Sequence, residues 1–435
     1  MFTGRVKILE WFLESNGVST DTRTLAPGQI FFALRGDNFD GNAYATAALK
    51  AGAMRVVVDR PEKVRSDKYL LVDDALKSLQ QLAADYRASL SAKVIAITGT
   101  NGKTTTKELL TVVLKSKYKV HATSGNFNNH IGVPLTILSA PRDTEVLLLE
   151  MGANHPGEIE ALCEIADPDY GYITNIGSAH LEGFGTKEMI LETKGALLKW
   201  VCEKQDGIAF VNAEDPMLEL FSAELSCARL LHPYMASSAG SIKVVDERGT
   251  PYLNLRLKKG LQNVECPTQL IGNYNTSNII AALEIADFFG IPLEQGVRMI
   301  SLYRPENSRS EYRDLGRYRI VLDAYNANLS SMIAAINNFC QIDAGRKVCI
   351  LGDMLELGDS EQDMHQQIVD LLQEKGLEAV LFGEHFDNTR HDNIPAFRTI
   401  EEIVHYVNQV EGEELWLLIK GSRGMRLERI LEKLQ

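Results

Sequence analysis

One nine-residue segment, TGTNGKTTT at residues 98–106, combines the residue types that bind nucleotide phosphates. It follows the apolar run VIAI and precedes the helical pattern KELLTVVLK. A strand, a glycine-rich loop and a helix in that order place backbone N–H groups and a helix N-terminus around an anion. In such a loop Lys103 would neutralise the β- and γ-phosphates and the Thr104 hydroxyl would hold Mg²⁺, although Ile97 stands where the usual pattern begins with glycine. The predicted phosphate-binding residues are Gly99, Thr100, Asn101, Gly102, Lys103, Thr104 and Thr105.

Three further side chains are candidates for a cation site. Glu150 ends the apolar run VLLLE, where a carboxylate is costly unless it is solvated, paired or coordinated. A hard divalent cation, the usual companion of nucleotide phosphates, would suit it, and a helix cap or a solvated strand end is the alternative. His180 in GSAHLEGFG and Lys194 in ETKGALLKW have no assigned role from residue type alone, because loop histidines and surface lysines are common.

The elements around these residues alternate between strands and helices. Buried strands are predicted at 94–98, 146–151, 172–176 and 208–212, a pattern typical of parallel α/β architecture. Residues 227–270 look like antiparallel strands and loops, and a helix is predicted at 275–289.

The two ends of the chain differ from this central part. Short strands at 29–34, 54–59 and 69–72, with no GxGxxG, favour a small α/β binding module before a helix at 74–90. The polar stretch 303–313 has the composition of a linker. Strands at 318–322, 347–351, 379–382 and 416–419 then predict a Rossmann-like domain. We therefore predict three α/β domains: 1–88, 89–302 and 303–435.

Composition limits the classes of partner. With 45 basic and 58 acidic residues among 435, the chain has a formal charge of −13, which argues against nucleic acid and anionic membranes as partners. No apolar run approaches the roughly 20 residues of a membrane-spanning helix, and no signal peptide is evident. We expect a cytoplasmic protein without membrane insertion. The six cysteines include no CxxC pair, which favours buried, reduced thiols.

Taken together, these segments resemble the Mur ligases, and the similarity runs through most of the chain. TGTNGKTTTKELL is similar to the nucleotide loop of that family, LEMGANHPGEIE to its glutamate segment and ITNIGSAHLEGFG to its histidine segment. The resemblance implies ATP as the nucleotide, two Mg²⁺ ions and a carbamylated Lys194, whose ammonium is replaced by an anionic carbamate. The metal residues that it implies are Thr104, Glu150, His180 and Lys194.

The resemblance also assigns residues outside the phosphate loop. In IGNYNTSNIIAAL, Asn275 and Asn278 would contact adenine. Arg309 would reach the phosphates from the third domain, and Asp323 in DAYNAN would face the ribose or the phosphates. The catalytic set implied is Lys103, His180, Lys194 and Arg309.

Within the family, several segments are most similar to the branch that adds D-alanyl-D-alanine. They are STDTRTLAPGQIFFALRGDNFDGNAY, GNFNNHIGVPLTIL, DAYNAN, LGDMLELG and IKGSRGMRLE. This likeness implies a monomer whose substrates are UDP-MurNAc-tripeptide and D-Ala-D-Ala. Arg23 is the candidate for the UMP moiety, with Asn126, Asn128 and Asn129 nearer the sugar or peptide. Candidates for the incoming dipeptide are Tyr325, Asn326 and Asn328.

The implied reaction forms an acyl phosphate from the terminal carboxylate of the tripeptide, which the amine of the dipeptide then attacks. Sites on three domains would require the third domain to close over ATP. Two alternatives stay open at this point: a Mur-type ligase that adds a single amino acid, and a nucleotide-binding scaffold without catalysis. A kinase has only the phosphate loop in its favour.

Overall fold

The computed structural model describes residues 2–36, 38–177, 181–234, 241–249, 251–305 and 309–434. Three larger sheets organise these residues, and helices cover them. Almost all strand pairs in the three sheets are parallel. The predicted α/β class with three domains is confirmed.

The N-terminal module is built on a four-stranded parallel sheet of order β1-β2-β5-β6. Its elements are α1 (Phe2–Glu14), β1 (Val18–Ser19), β2 (Ile30–Phe32), β3 (Arg35–Gly36), β4 (Phe39–Asp40), α2 (Ala45–Lys50), β5 (Arg55–Val58), β6 (Tyr69–Leu71) and α3 (Ala75–Ser89). The three predicted strands are confirmed with shorter ends. Asp74 is the N-cap of α3, and its carboxylate accepts a hydrogen bond from the Lys77 N–H and so satisfies one free donor of the first turn.

The central domain contains a six-stranded parallel sheet of order β12-β11-β10-β7-β9-β8. Its elements are β7 (Lys93–Thr98), α4 (Lys103–Leu114), β8 (Val120–Ala122), α5 (Gly132–Leu138), β9 (Val146–Glu150), α6 (Glu158–Ala166), β10 (Tyr170–Ile173), α7 (Leu181–Phe184), α8 (Lys187–Cys202), β11 (Ile208–Asn212), α9 (Pro216–Ser222) and β12 (Ala228–Leu231). The chain crosses from one side of β7 to the other between β9 and β10, which leaves a crevice at the carboxyl ends of these strands.

The region after β12 adds an antiparallel sheet and two helices. They are β13 (Lys243–Gly249), β14 (Leu253–Lys259), β15 (Gln262–Pro267), α10 (Thr276–Phe288) and α11 (Leu293–Leu302). The prediction of antiparallel strands in 227–270 is confirmed for these three. It is wrong for residues 228–231, which form β12 and extend the central parallel sheet.

The third domain contains a six-stranded sheet of order β16-β17-β21-β18-β19-β20. Its elements are β16 (Glu311–Leu315), β17 (Tyr318–Asp323), α12 (Leu329–Gln341), β18 (Arg346–Gly352), α13 (Glu361–Lys375), β19 (Glu378–Phe382), α14 (Glu384–Asp387), β20 (Ala396–Phe397), α15 (Ile400–Gln409) and β21 (Leu415–Lys420). The four predicted strands are confirmed. The predicted linker is wrong at residues 311–313, since the polar sequence EYRDL forms β16, an edge strand antiparallel to β17.

Two expectations concern the whole chain. The expectation that the cysteines are reduced is wrong for Cys202 and Cys227, which form a disulfide between the end of α8 and the residue before β12. Their separation of 25 residues carries no sequence signature, and only the packing of the two elements brings them together. Within the described residues, no helix has the length and apolar character that a membrane span requires.

Candidate active site

The phosphate loop lies between β7 and α4 and has the backbone shape that glycine permits. Gly99 has φ 137° and Gly102 has φ 81°. A Cβ on Gly99 would lie 1.9 Å from the Thr174 hydroxyl oxygen, so no larger residue fits there. The Lys103 ammonium donates hydrogen bonds to the carbonyls of Gly99 (2.8 Å) and Thr100 (3.0 Å). The Lys103 side chain therefore folds back over the loop that precedes α4.

Hydrogen bonds with two neighbouring segments, residues 174–175 and 275–278, support the loop. The Asn101 N–H donates to the side-chain oxygen of Asn175 at 3.0 Å, and the Thr174 hydroxyl donates to the Asn101 carbonyl at 2.6 Å. The Asn278 side chain accepts from the Thr106 hydroxyl (3.1 Å) and donates to Asn275 (2.9 Å). Asn275 and Asn278 are thus buried at the base of the loop, where they support it through protein contacts.

Burial strongly affects the two lysines of the site. Desolvation lowers the pKa of Lys103, an effect that the Glu150 carboxylate opposes and the Arg309 guanidinium reinforces. Lys194, 3% exposed on α8, has its pKa lowered to about 7 by burial and by the charge of Lys103, against a smaller opposing effect of Glu158. Three cations therefore lie close enough to influence one another. Such a cluster is unfavourable without anions, and phosphates are the natural partners.

Glu150 offers an oxygen for a cation. One carboxylate oxygen, Oε1, accepts a hydrogen bond from the Asn128 side chain at 2.9 Å. The other, Oε2, is buried without a hydrogen-bond partner among the described residues. No group of three histidine, cysteine or carboxylate side chains is close enough to hold a metal in the described part of the chain. The partnerless Oε2 of Glu150 is an anionic oxygen of the kind that Mg²⁺ prefers, and the Thr104 hydroxyl is buried in the first turn of α4. His180, the remaining predicted metal residue, lies outside the described residues.

Residues of the third domain face this cluster. The Arg309 guanidinium carbon lies 3.5 Å from the centroid of the Tyr325 ring, and that of Arg423 lies 5.2 Å from the same centroid. Asp323 accepts hydrogen bonds from the Ser310 N–H (3.2 Å) and from the Lys420 ammonium (2.6 Å).

The sequence assigned no role to Arg423 or Lys420. The sequence did contain a signal that could have identified both residues, because they belong to the polar segment IKGSRG at the end of β21.

The two asparagines of DAYNAN are already engaged with the protein. Asn326 is exposed, and its side-chain oxygen accepts from the Ala327 N–H at 2.9 Å. Asn328 is the N-cap of α12, where its oxygen accepts from the Ser331 N–H at 2.9 Å. Its amide nitrogen donates to the side-chain oxygen of Asn101 in the phosphate loop, also at 2.9 Å. The structure therefore brings Asn328 to the nucleotide loop directly.

A cavity of about 970 Å³ lies between the N-terminal module and the central domain. Its lining includes Asn126, Phe127 and Asn129 from the central domain. The guanidinium of Arg23 does not line it: the Arg23 side chain is 87% exposed and pairs with Asp21. Asn128 is also absent from the lining, because its side chain turns to Glu150. The loop 126–129 consequently connects the cavity with the phosphate site.

Two of the cavity residues that the sequence did not predict carry basic side chains. His121 and Arg142 both line the cavity. The His121 ring contacts the Thr136 carbonyl and the Ser139 hydroxyl, and burial lowers its pKa. Neither residue lies in a motif, and only the packing of β8 and α5 reveals them.

Comparison with protein families gives three matches that together span most of the chain. Residues 14–87 match the family described as "Mur ligase family, catalytic domain". Residues 97–286 match "Mur ligase middle domain", and residues 308–423 match "Mur ligase, glutamate ligase domain".

Individual proteins and structures are similar over nearly their full length. The UDP-N-acetylmuramoyl-tripeptide–D-alanyl-D-alanine ligase of Bacillus subtilis (strain 168) is 35% identical over 96% of this chain and 93% of its own. A crystal structure of MurF from Acinetobacter baumannii has a TM-score of 0.88 at 28% identity, with 98% of each chain covered. The structure of MurF ligase from Thermotoga maritima in complex with ADP has a TM-score of 0.86 at 29% identity, with 97% of each chain covered.

Proposed function

This chain belongs to the Mur ligase family, and we propose that it is the ATP-dependent ligase that joins D-alanyl-D-alanine to UDP-N-acetylmuramoyl-tripeptide in peptidoglycan precursor synthesis. The observation that carries the proposal is the connection of two sites through one loop. Asn126 and Asn129 line the cavity, while Asn128 between them binds Glu150 beside the phosphate loop. An acceptor held in the cavity would present its terminal carboxylate where ATP presents its γ-phosphate.

The chemical difficulty is that two anions must meet. Lys103 and the N-terminus of α4 neutralise charge on the transferring phosphoryl group, so that an oxygen of the acceptor carboxylate attacks the γ-phosphorus of ATP, the bond to the leaving ADP breaks and an acyl phosphate forms. The dipeptide amine then attacks the acyl carbon, and the phosphate leaves with its charge balanced by Lys103 and Arg309. Asp323, paired with Lys420, would face the ribose or phosphates of ATP.

The donor set at Glu150 supports the presence of Mg²⁺. Thr104, Glu150 and a carbamylated Lys194 would hold it, together with His180, and two ions would neutralise the phosphates when bound. Carbamylation requires a neutral amine that can add to CO₂. A pKa of about 7 leaves the Lys194 amine largely neutral above that pH, and a carbamate would replace an unfavourable buried ammonium by an anion beside Lys103.

The substrates divide between the domains. The UDP-MurNAc part would occupy the cavity, with Asn126 and Asn129 in contact and Arg23 reaching it only after its side chain turns from Asp21. The adenine would lie near Asn275 and Asn278, and the dipeptide near Tyr325 and Asn326. We take 1–88, 89–302 and 303–435 as the three units. A monomer in the cytoplasm, where ATP is available, completes the proposal.

The test is a coupled assay with the purified chain. ADP and phosphate should form only when UDP-MurNAc-tripeptide, D-Ala-D-Ala, ATP and Mg²⁺ are all present, and mass spectrometry should show the pentapeptide product. Single amino acids in place of the dipeptide should give no product, which separates this activity from that of the other family members. Absence of ADP with both peptide partners would refute the proposal.

A further inference from the structure

A ring of three hydrogen bonds joins the phosphate loop to the third domain. The Asn328 side-chain nitrogen donates to Oδ1 of Asn101, and Nδ2 of Asn101 donates to the Ser330 hydroxyl, each at 2.9 Å. The Ser330 hydroxyl in turn donates to Oδ1 of Asn328, again at 2.9 Å. Asn328 is only 7% exposed. The ring therefore uses both ends of two carboxamides, with Asn101 and Ser330 half-buried beside the buried Asn328.

Both sides of this ring are fixed by their own domains. On the central side, the Asn101 backbone is held by Thr174 and Asn175. On the other side, Asn328 caps α12 in a reciprocal capping box with Ser331, whose hydroxyl accepts from the Asn328 N–H at 3.1 Å. A hydrogen bond between two rigid groups costs little side-chain entropy to form. Its geometry can therefore set the relative position of the two domains.

We infer that Asn101, Asn328 and Ser330 form a latch that holds the third domain closed over the nucleotide and so positions Arg309 and Tyr325 for the reaction. The inference rests on the proposed function and adds positioning residues to it. Asn328 then acts through the phosphate loop and does not serve as a contact of the dipeptide.

A latch is needed because closure of the third domain brings positively charged side chains close to one another. Arg309 of the third domain and Lys103 of the phosphate loop carry like charges, which repel each other across this contact. This repulsion favours an open arrangement until phosphates lie between the cations. Neutral amide hydrogen bonds offset it without adding charge to the site.

The decisive variant is Asn328→Ser, because serine is also a good N-cap but is too short to reach Asn101. Ser330→Ala removes two bonds of the ring, the one that the Ser330 hydroxyl accepts from Asn101 and the one that it donates to Asn328. The matched control is Ser331→Ala, which weakens the cap of α12 and leaves all three bonds of the ring in place. Thermal unfolding of the three full-length variants reports their stability, so that loss of structure is recognised.

Two readouts separate a latch from a structural role. With a non-hydrolysable ATP analogue and Mg²⁺ but no dipeptide, small-angle scattering should show a smaller radius of gyration for the wild type and for Ser331→Ala, and no such decrease for Asn328→Ser. In the ligase assay, Asn328→Ser should lower kcat about 5- to 30-fold and Ser330→Ala about 3- to 10-fold, which are the losses expected for one or two buried hydrogen bonds. The KM for UDP-MurNAc-tripeptide should change by less than about 2-fold, since no residue of the ring lines its cavity.

The outcomes are distinguishable. If Asn328→Ser compacts like the wild type, or if its kcat matches that of Ser331→Ala, the latch is refuted. A raised KM for D-Ala-D-Ala with normal compaction would show that Asn328 contacts the dipeptide, which also refutes the latch. A wild type that forms no ADP refutes the proposed function instead, and the scattering experiment then still tests the latch on its own.

Discussion

The central domain meets its two neighbours in different ways. Toward the N-terminal module it shares one apolar core, in which Phe12 and Leu79 pack with Ile137 and Leu162, and the two units enclose a wide cavity. Toward the third domain the closest contacts at the site are polar side chains joined directly, with charged residues beside them. The apolar clusters of the third domain are built almost entirely from its own residues.

This contrast indicates a division of labour. A shared apolar core fixes the cavity before any ligand arrives, because separating the two units would expose buried apolar surface. A polar contact with few hydrogen bonds is easily broken and remade, as expected for a domain that must admit ATP and release ADP. Changes at the nucleotide site should therefore affect kcat, and changes in the cavity should affect substrate binding.

The largest effect should come from Lys103→Ala. Removal of the only lysine of the phosphate loop should lower kcat about 10³-fold or more, because the charge on the transferring phosphoryl group is no longer balanced. Calorimetric binding of UDP-MurNAc-tripeptide should stay within about 2-fold of the wild type, since its cavity is separate. If Lys103→Ala also failed to bind UDP-MurNAc-tripeptide, the cavity and the nucleotide site would not be independent, and the contrast between them would be refuted.

Lys194→Met should lower activity by about 10²-fold or more, because no carbamate can form on methionine. The wild type should depend on CO₂ and pH in a matching way. Since the Lys194 pKa is about 7, protonation below that pH blocks the addition of CO₂, and activity should fall as the pH drops from 8 to 6. Bicarbonate should restore activity at pH 8 after CO₂ is removed. A wild type indifferent to CO₂ would contradict carbamylation.

The same variant should be more stable than the wild type by roughly 1–3 kcal/mol in CO₂-free buffer at pH 7, because a buried ammonium is costly. The sign of the pH dependence follows from the pKa that folding lowers from 10.5 to about 7. Between these values the unfolded chain binds the proton and the folded chain does not, so wild-type stability rises with pH. The advantage of Lys194→Met should shrink from pH 7 to pH 10, and denaturant unfolding at both pH values measures it.

Glu150→Gln should raise the Mg²⁺ concentration for half-maximal activity about 10- to 100-fold. The glutamine side chain still has an oxygen that can accept the hydrogen bond from Asn128. It carries no negative charge where Glu150 has Oε2, the oxygen without a hydrogen-bond partner among the described residues. Glu160→Gln, on the exposed side of the first turn of α6, serves as the control and should leave the Mg²⁺ requirement unchanged. Equal Mg²⁺ requirements in the wild type and in Glu150→Gln would exclude Glu150 from the metal site.

The smallest effects belong to the cavity. Asn126→Ala should raise the KM for UDP-MurNAc-tripeptide about 5- to 10-fold with kcat within about 2-fold, the pattern of a group that binds substrate and transition state equally. Arg23→Ala should change this KM by less than about 3-fold, since the Arg23 side chain is exposed and does not line the cavity, whereas its partner Asp21 does. A larger effect of Arg23 than of Asn126 would mean that the N-terminal module rearranges on binding.

The sequence predicted the fold best where one local signal decided it. Apolar runs predicted four of the six strands in the central sheet and four of the six in the third-domain sheet, and glycines with a following lysine predicted the phosphate loop. Edge strands such as β16 were missed because a strand with one exposed side does not need an apolar pattern. The Cys202–Cys227 pair was missed because elements far apart in sequence bring the two residues together.

The sequence by itself determined which residues can bind phosphate, because glycine conformation, lysine charge and the strand–loop–helix order are local properties of a few consecutive residues. Only the tertiary structure decided what surrounds them: the depressed pKa of Lys194, the partnerless oxygen of Glu150 and the contact of Asn328 with Asn101. Each of these depends on burial or on a partner more than 20 residues away, and no pattern along the chain encodes desolvation or a distant neighbour.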